Sequence, residues 1–231
     1  MELKEIIDDF DKRVNDYNKI ILEVIPFYTT MLNMIAMCIP YDRYAHIEIL
    51  DLGCGIGNTT GVVLEYFPNA KIISVDLAAR ALELFNKRFK HNAKVTSVFA
   101  NIVDEGVYCK HKYDCVISNL AIHHLKDDED KKFVYNLIYR SLKPDGQIII
   151  GENVHGSSGY LTKKYEAIWM EYMRNRGVSK KQVEQYYKEY EEKDYPLALM
   201  RQLDILKNIG FIDIDVVWKY SFFAVFCGKK N

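Results

Sequence analysis

The sequence predicts an α/β domain built on a mostly parallel sheet, with helices on both faces and an antiparallel hairpin at its carboxyl end. Three observations predict it. From Ile47 to Gly151, short apolar runs alternate with amphipathic segments of helix length; this alternation needs crossover connections, which produce parallel strands. A glycine-rich loop, Gly53, Gly55 and Gly57, follows the first apolar run directly, where bare backbone can hold the polar part of a ligand. Two closing runs, 211–218 and 220–228, have too short a connection for a crossover and pair antiparallel at one sheet edge.

The elements follow in order. Leu3, Ile6, Phe10, Val14, Tyr17, Ile21 and Val24 recur three or four apart with charges between them, the apolar stripe of one helix. Pro26 interrupts it, and 27–39 reads as a second helix that Pro40 ends. These make an N-terminal helical cap, 1–45, over a core edge or over a ligand. The core, 46–154, holds strands at 47–52, 71–76, 94–100, 113–119 and 146–151, with helices near 58–67, 78–90 and 128–142. Lys143, Pro144, Asp145 and Gly146 form a sharp turn before the last of these strands. A helical insertion, 155–209, contains a Tyr-, Lys- and Glu-rich stretch over 160–192 and a helix over 197–209 that Gly210 caps. The closing β-hairpin, 210–231, completes one domain of 231 residues, without internal repeat or low-complexity linker.

Composition narrows the functional classes. The chain is 49% hydrophobic and 27% charged, ordinary for a globular protein and unlike a disordered or fibrous one. A formal charge of -1 gives no overall surplus for gripping a polyanion. The first twenty residues are charged throughout, unlike a secretory signal, so a cytoplasmic protein is expected. No apolar run approaches the roughly 18 residues that cross a bilayer, so no membrane partner is expected. The five cysteines are odd in number and form no CxxC pair, which favours reduced thiols over disulfides or structural zinc.

The glycine loop decides which ligand to expect. In ILDLGCGIGNTT, 49–60, the dinucleotide fingerprint GxGxxG requires a third glycine where Asn58 or Thr60 stands. A P-loop fails as well, since no GK[ST] follows. What remains is GxGxG preceded by Asp51. It resembles motif I of the class I S-adenosylmethionine-dependent methyltransferases, and the later strand ends continue that pattern. The resemblance implies a Rossmann-like class I methyltransferase sheet and S-adenosylmethionine as cofactor. It implies that Asp51, Gly53, Gly55 and Gly57 cradle the methionine and ribose portions, and that Asp76 with Leu77, 25 residues after Asp51, meets the ribose hydroxyls. Asn101 and Ile102 stand where the family usually has Asp and an apolar residue on the adenine; an amide still accepts from an amino group. The resemblance implies that Asn119 in YDCVISNLAIHHL closes on the cofactor and faces the transferring methyl group, with Leu120 following it in the loop.

FDKRVNDYNKIILEVIPFYTTMLNMIAM, 10–37, is similar to the N-terminal helices of the carboxy-S-adenosylmethionine-dependent tRNA uridine carboxymethyltransferases and their relatives. On that match Tyr28 contacts the amino-acid end of the cofactor. The arginine that pairs with the cofactor's extra carboxylate in that group falls here near Tyr186, Tyr187 and Lys188. An ammonium does not copy the two-pronged guanidinium geometry, and Arg201 reaches the position only if the local fold differs. Plain S-adenosylmethionine and methyl transfer are therefore favoured.

In-line transfer from a sulfonium needs alignment and exclusion of water more than acid or base help. If the acceptor requires a base, Glu152, His155, His123 and Asp194 are the candidates. His123 and His124 are not expected to share a metal, because neighbours on a helix diverge by about 100°. The tyrosines of 155–200 suit a small planar or apolar acceptor, a stacked nucleic-acid base, plain packing or a homodimer contact. The mixed charge of the same stretch favours a small molecule over tRNA.

Overall fold

The computed structural model describes residues 12–231. Seven strands form one sheet in the order β3-β2-β1-β4-β5-β7-β6: β1 Glu48–Leu52, β2 Lys71–Asp76, β3 Val95–Phe99, β4 Tyr113–Asn119, β5 Leu142–Asn153, β6 Phe211–Tyr220 and β7 Phe223–Lys230. The first five pair parallel, and β7 joins β5 and β6 antiparallel. The expected mixed sheet is therefore the observed one. Strand order reverses between β1 and β4, and ligands of open α/β sheets bind outside the carboxyl ends at such a reversal.

Eight α-helices lie among the described residues: α1 Tyr17–Val24, α2 Tyr28–Met37, α3 Asn58–Tyr66, α4 Ala79–Phe89, α5 Asp128–Ser141, α6 Gly159–Asn175, α7 Lys180–Lys193 and α8 Leu199–Ile209. The strands sort their side chains by the two-residue period of extended chain. Ile49, Cys115, Ile117 and Ile149 face Met31, Ile35 and Val63 of α2 and α3. Leu50, Val116, Ile148 and Ile150 face Val134, Ile138 and Ile205 of α5 and α8. Both faces are covered, so these strands read as unbroken apolar runs.

Several boundaries differ from expectation. Leu3, Ile6 and Phe10 lie outside the described residues. The rest of that stripe begins with a 3-10 turn at Val14–Asp16 before α1. Pro26 holds Ile25 extended, and Phe27 enters α2 with φ of 54°, which bends the two helical segments by 93°. Among the described residues no single helix is long and apolar enough to cross a membrane. The stretch 160–192 is two helices, because Gly177 at φ +87° ends the first and the capping box of Ser179 and Gln182 starts the second. Residues 143–146 do turn, but inside β5: Tyr113 pairs with Leu142 and Cys115 with Gln147, so the turn is a bulge in the ladder. Gly210 caps α8 at φ 117°, as the sequence suggested.

The insertion and the N-terminal helices share a small core of their own. Trp169 of α6 packs edge-on against Tyr190 and Phe222 and donates its indole N–H to the Val24 carbonyl at 2.7 Å. That bond fastens the insertion to α1 above the carboxyl end of the sheet.

Candidate active site

A cavity opens at the strand-order reversal, lined by the tips of β1, β2, β3 and β4. Its floor is the glycine loop. Gly53, Gly55 and Gly57 have φ of 71°, 52° and 84°, the left-handed region that L side chains resist. The Gly53 and Cys54 N–H groups donate to the Val75 carbonyl at 2.8 and 3.0 Å, which folds the loop back over β2. A Cβ on Gly53 would stand 2.2 Å from the Ala121 Cβ, so the loop and the end of β4 touch only because that side chain is missing.

Asp76 organises the opposite side. One carboxylate oxygen accepts the Gly55 N–H at 2.7 Å and the other accepts the Ala78 N–H at 2.8 Å. Leu77 beside it also lines the cavity, as do Asn101, Ile102, Asn119, Leu120 and Tyr28. The Asn101 side-chain oxygen accepts the Val103 N–H at 3.2 Å, an Asx turn that shapes the β3 loop. Tyr108 donates to the Ile102 carbonyl at 2.6 Å and steadies the same loop.

Asp51 and Gly57 do not line the cavity. Asp51 is buried beneath the loop, where it accepts the Thr60 hydroxyl at 2.6 Å. Burial raises its carboxyl to a pKa of about 7, against the opposing Thr60 hydrogen bond. Its role is to tie β1 to the start of α3. Gly57 caps α3, and a Cβ there would meet the Phe85 and Phe89 rings at 2.5 to 2.9 Å, so it serves helix packing.

Leu120 is a left-handed leucine with φ 54°, a conformation that costs about 1–2 kcal/mol. Its N–H donates to the Gly151 carbonyl at 2.8 Å. The Asn119 amide lies over Gly151, where a Cβ would come within 2.4 Å of its oxygen. The strained turn pushes the Leu120 side chain into the wall between this cavity and a second one. Tyr17, Leu120 and His124 line both.

The second cavity sits under the insertion, among Trp169, Tyr186, Tyr190 and Phe222, with His123, Asp194 and Arg13 at its polar side. Arg13 pairs with Glu189 at 2.7 Å. It is the guanidinium lining this cavity among the described residues, whereas Arg201 is exposed on α8 and is not part of that lining.

The base candidates separate clearly. Glu152 is buried behind the wall, bonded to His123 Nδ1 and accepting the His123 N–H at 2.9 Å. It positions His123 and lines neither cavity. His155 bonds the Tyr190 hydroxyl at 3.1 Å and also lines neither. Burial pushes its pKa down. His123 and Asp194 do face the second cavity. Burial opposes charge on His123, but Glu152 and then Asp194 outweigh it, and its pKa is raised. His124 is lowered to about 4 by burial and then by His123. The expected divergence of the two rings is not the observed geometry. They stand on a 3-10 turn with centroids 4.1 Å apart.

Sequence reasoning passed over Tyr17, Ala121 and His124 as lining residues. Tyr17 was legible as the one stripe position with a polar tip, and Ala121 as the neighbour of the β4 end; His124 carried no signal that distinguished it from His123.

The fold is the one that α/β methyltransferase domains share. Residues 49–146 match the methyltransferase domain family. Over 96% of its length the chain is 24% identical to carboxy-S-adenosyl-L-methionine synthase of Campylobacter hominis, covering 94% of that protein, and equally to the synthase of Nautilia profundicola. These relatives bear the name of a synthase of the carboxylated cofactor. Among solved structures, phosphoethanolamine N-methyltransferase 2 of Haemonchus contortus in complex with S-adenosyl-L-methionine superposes with TM-score 0.67 at 19% identity, over 97% of this chain and 60% of that one. An O-methyltransferase family protein of Burkholderia thailandensis gives TM-score 0.70 at 13% identity, over all of this chain and 63% of that one. The chain thus spans about three fifths of these neighbours.

Proposed function

We propose that this chain binds S-adenosylmethionine in the cavity under the glycine loop and transfers its methyl group to a small-molecule acceptor in the adjoining aromatic cavity. The observation that carries the reading is the shared wall of Tyr17, Leu120 and His124 between the two cavities. The glycine floor, which an added Cβ at Gly53 would fill, leaves room for a ligand close to bare backbone. The Asp76 carboxylate suits paired ribose hydroxyls, and negative charge suits a ligand with an ammonium and a sulfonium.

The bound cofactor supplies an electrophilic methyl whose carbon–sulfur electron pair returns to sulfur on transfer. The chain's part is placement. Leu120 narrows the passage to the methyl, and Trp169 and Tyr190 exclude water above it. His123 and Asp194 face the acceptor, so either can take a proton from it, with Glu152 fixing the His123 ring.

A second reading, formation of a carboxylated sulfonium from S-adenosylmethionine and a carboxylate-bearing small molecule, is favoured by the synthase relatives, which the chain matches almost end to end. Methyl-labelled S-adenosylmethionine incubated with the protein and a panel of small molecules discriminates them. The first reading expects label on an acceptor and S-adenosylhomocysteine as by-product. Label retained on a heavier, carboxylated sulfonium would replace it with the second, and neither product would overturn both.

A further inference from the structure

At the aromatic cavity three donor groups converge, of which His123 and Asp194 serve methyl transfer only where the acceptor has a proton to lose. Asp194 Oδ1 lies 3.7 Å from His123 Nε2 and 3.4 Å from His124 Nδ1. One donor atom from each residue lies within 4.8 Å of the other two. A tetrahedral zinc(II) with bonds of about 2.0–2.2 Å holds its donors roughly 3.3–3.6 Å apart; the 3.4 Å separation falls in that range and the 3.7 Å one lies 0.1 Å beyond it, close to a metal-ligand shell.

The surroundings are those of ligands held in place. His123 Nδ1 bonds the Glu152 carboxylate, which leaves Nε2 as the outward nitrogen. Metal-binding histidines characteristically carry a carboxylate or carbonyl on the second nitrogen. The other oxygen of Asp194 accepts the Asn153 side-chain N–H at 3.0 Å. The Tyr195 N–H donates to the His123 carbonyl at 2.8 Å and pins the end of α7 against the histidine turn. Three elements, the 3-10 turn after β4, the end of β5 and the end of α7, therefore fix this cluster, and it is not a chance meeting of exposed side chains. His123 and Asp194 are largely covered, with side-chain exposures of 6% and 19%.

We infer that His123, His124 and Asp194 form a binding site for a divalent transition-metal ion of the zinc(II) type, with Glu152 and Asn153 as its outer supports. Two imidazoles and a carboxylate are the donor set of borderline ions, not of magnesium or calcium. Three protein ligands leave a position open, as catalytic zinc sites do, and all three residues line the aromatic cavity. An acceptor would meet the ion there through an anionic oxygen, a carboxylate or an ionised hydroxyl. That last assignment rests on the methyl-transfer reading; binding of the ion does not.

The test is titration of the chelator-stripped protein with cobalt(II), read by visible absorption, and with zinc(II), read by calorimetry. One equivalent is expected, with the intense visible bands of a four-coordinate cobalt site. Asp194→Ala and His124→Ala should each weaken binding at least tenfold, and Glu152→Gln by about 10–100-fold. Circular dichroism and a cooperative thermal unfolding transition verify that each variant is folded. Absence of saturable one-equivalent binding in the wild type, or variants that bind as tightly as it does, would overturn the inference. Methyl transfer enters none of these readouts, so the site and the proposed reaction fail separately.

Discussion

Gly53→Ala tests the contact on which the cofactor cavity is built. The residue has φ +71°, and an added Cβ would lie 2.2 Å from the Ala121 Cβ, about half an ordinary methyl-to-methyl separation. Two costs follow. The left-handed backbone costs about 1–2 kcal/mol for a residue with a Cβ, and forcing the loop from the β4 end costs about 1–3 kcal/mol of overpacking. The sum is about 2–5 kcal/mol in urea unfolding, and affinity for S-adenosylhomocysteine should fall at least tenfold because the loop moves. Ala121→Gly removes the atom that Gly53→Ala strikes. In the double variant the steric part should return and the backbone part should not, leaving about 1–2 kcal/mol, the higher value because Ala121→Gly itself loosens the chain. If Gly53→Ala were within 0.5 kcal/mol of the wild type, or if Ala121→Gly rescued nothing, the described contact between loop and β4 would be wrong.

Further outcomes follow from the same geometry. Asp76→Ala removes the partner of the Gly55 and Ala78 N–H groups and the proposed ribose acceptor; calorimetry should show a loss of cofactor affinity of about a hundredfold. Asp51 has a folded pKa of about 7, raised by burial from 3.8, so the folded state holds a proton that the unfolded chain has released. The contribution of Asp51 to stability is therefore full below about pH 4 and is lost as pH rises through about 7, by up to about 4 kcal/mol; Asp51→Asn should remove that component in denaturant titrations. The raised pKa of His123 acts in the same sense: its contribution is present below the ordinary histidine range and lost as pH rises through the folded value, a component that His123→Gln should remove. Trp169→Ala should cost about 3–5 kcal/mol and, by releasing the Val24 carbonyl, speed proteolysis within 155–209.

How far the sequence carried the structure depended on how local each cause was. The parallel strands were legible because Ile49 and Leu50, or Ile149 and Ile150, serve opposite buried faces and so leave a continuous apolar run. Gly210 was legible as a cap because one left-handed position ends the helix. The break at Gly177 was not, since Tyr, Lys and Glu at helical spacing continue across it; the Ser179 and Gln182 box was the signal that marked it. Asp51 read as a ligand contact because its place in the motif is fixed, whereas its side chain's direction depends on Thr60, nine residues on in another element. Glu152 and His123 were each chosen as bases, but their pairing arises from β5 lying beside β4 with a register that places Gly151 opposite Asn119. No local pattern encodes such a pairing. Tyr17 showed in the sequence as a polar-tipped stripe position, but that it and His124 share a site follows from the meeting of α1 with the β4 turn.

The central claim is that the carboxyl ends of β1 to β4 converge on one adenosyl sulfonium compound. Titration of the folded protein with S-adenosylmethionine in a calorimeter tests it most directly. The account predicts saturation at one equivalent per chain, competed by S-adenosylhomocysteine. No heat of binding from either compound, with the protein folded by circular dichroism, would contradict it.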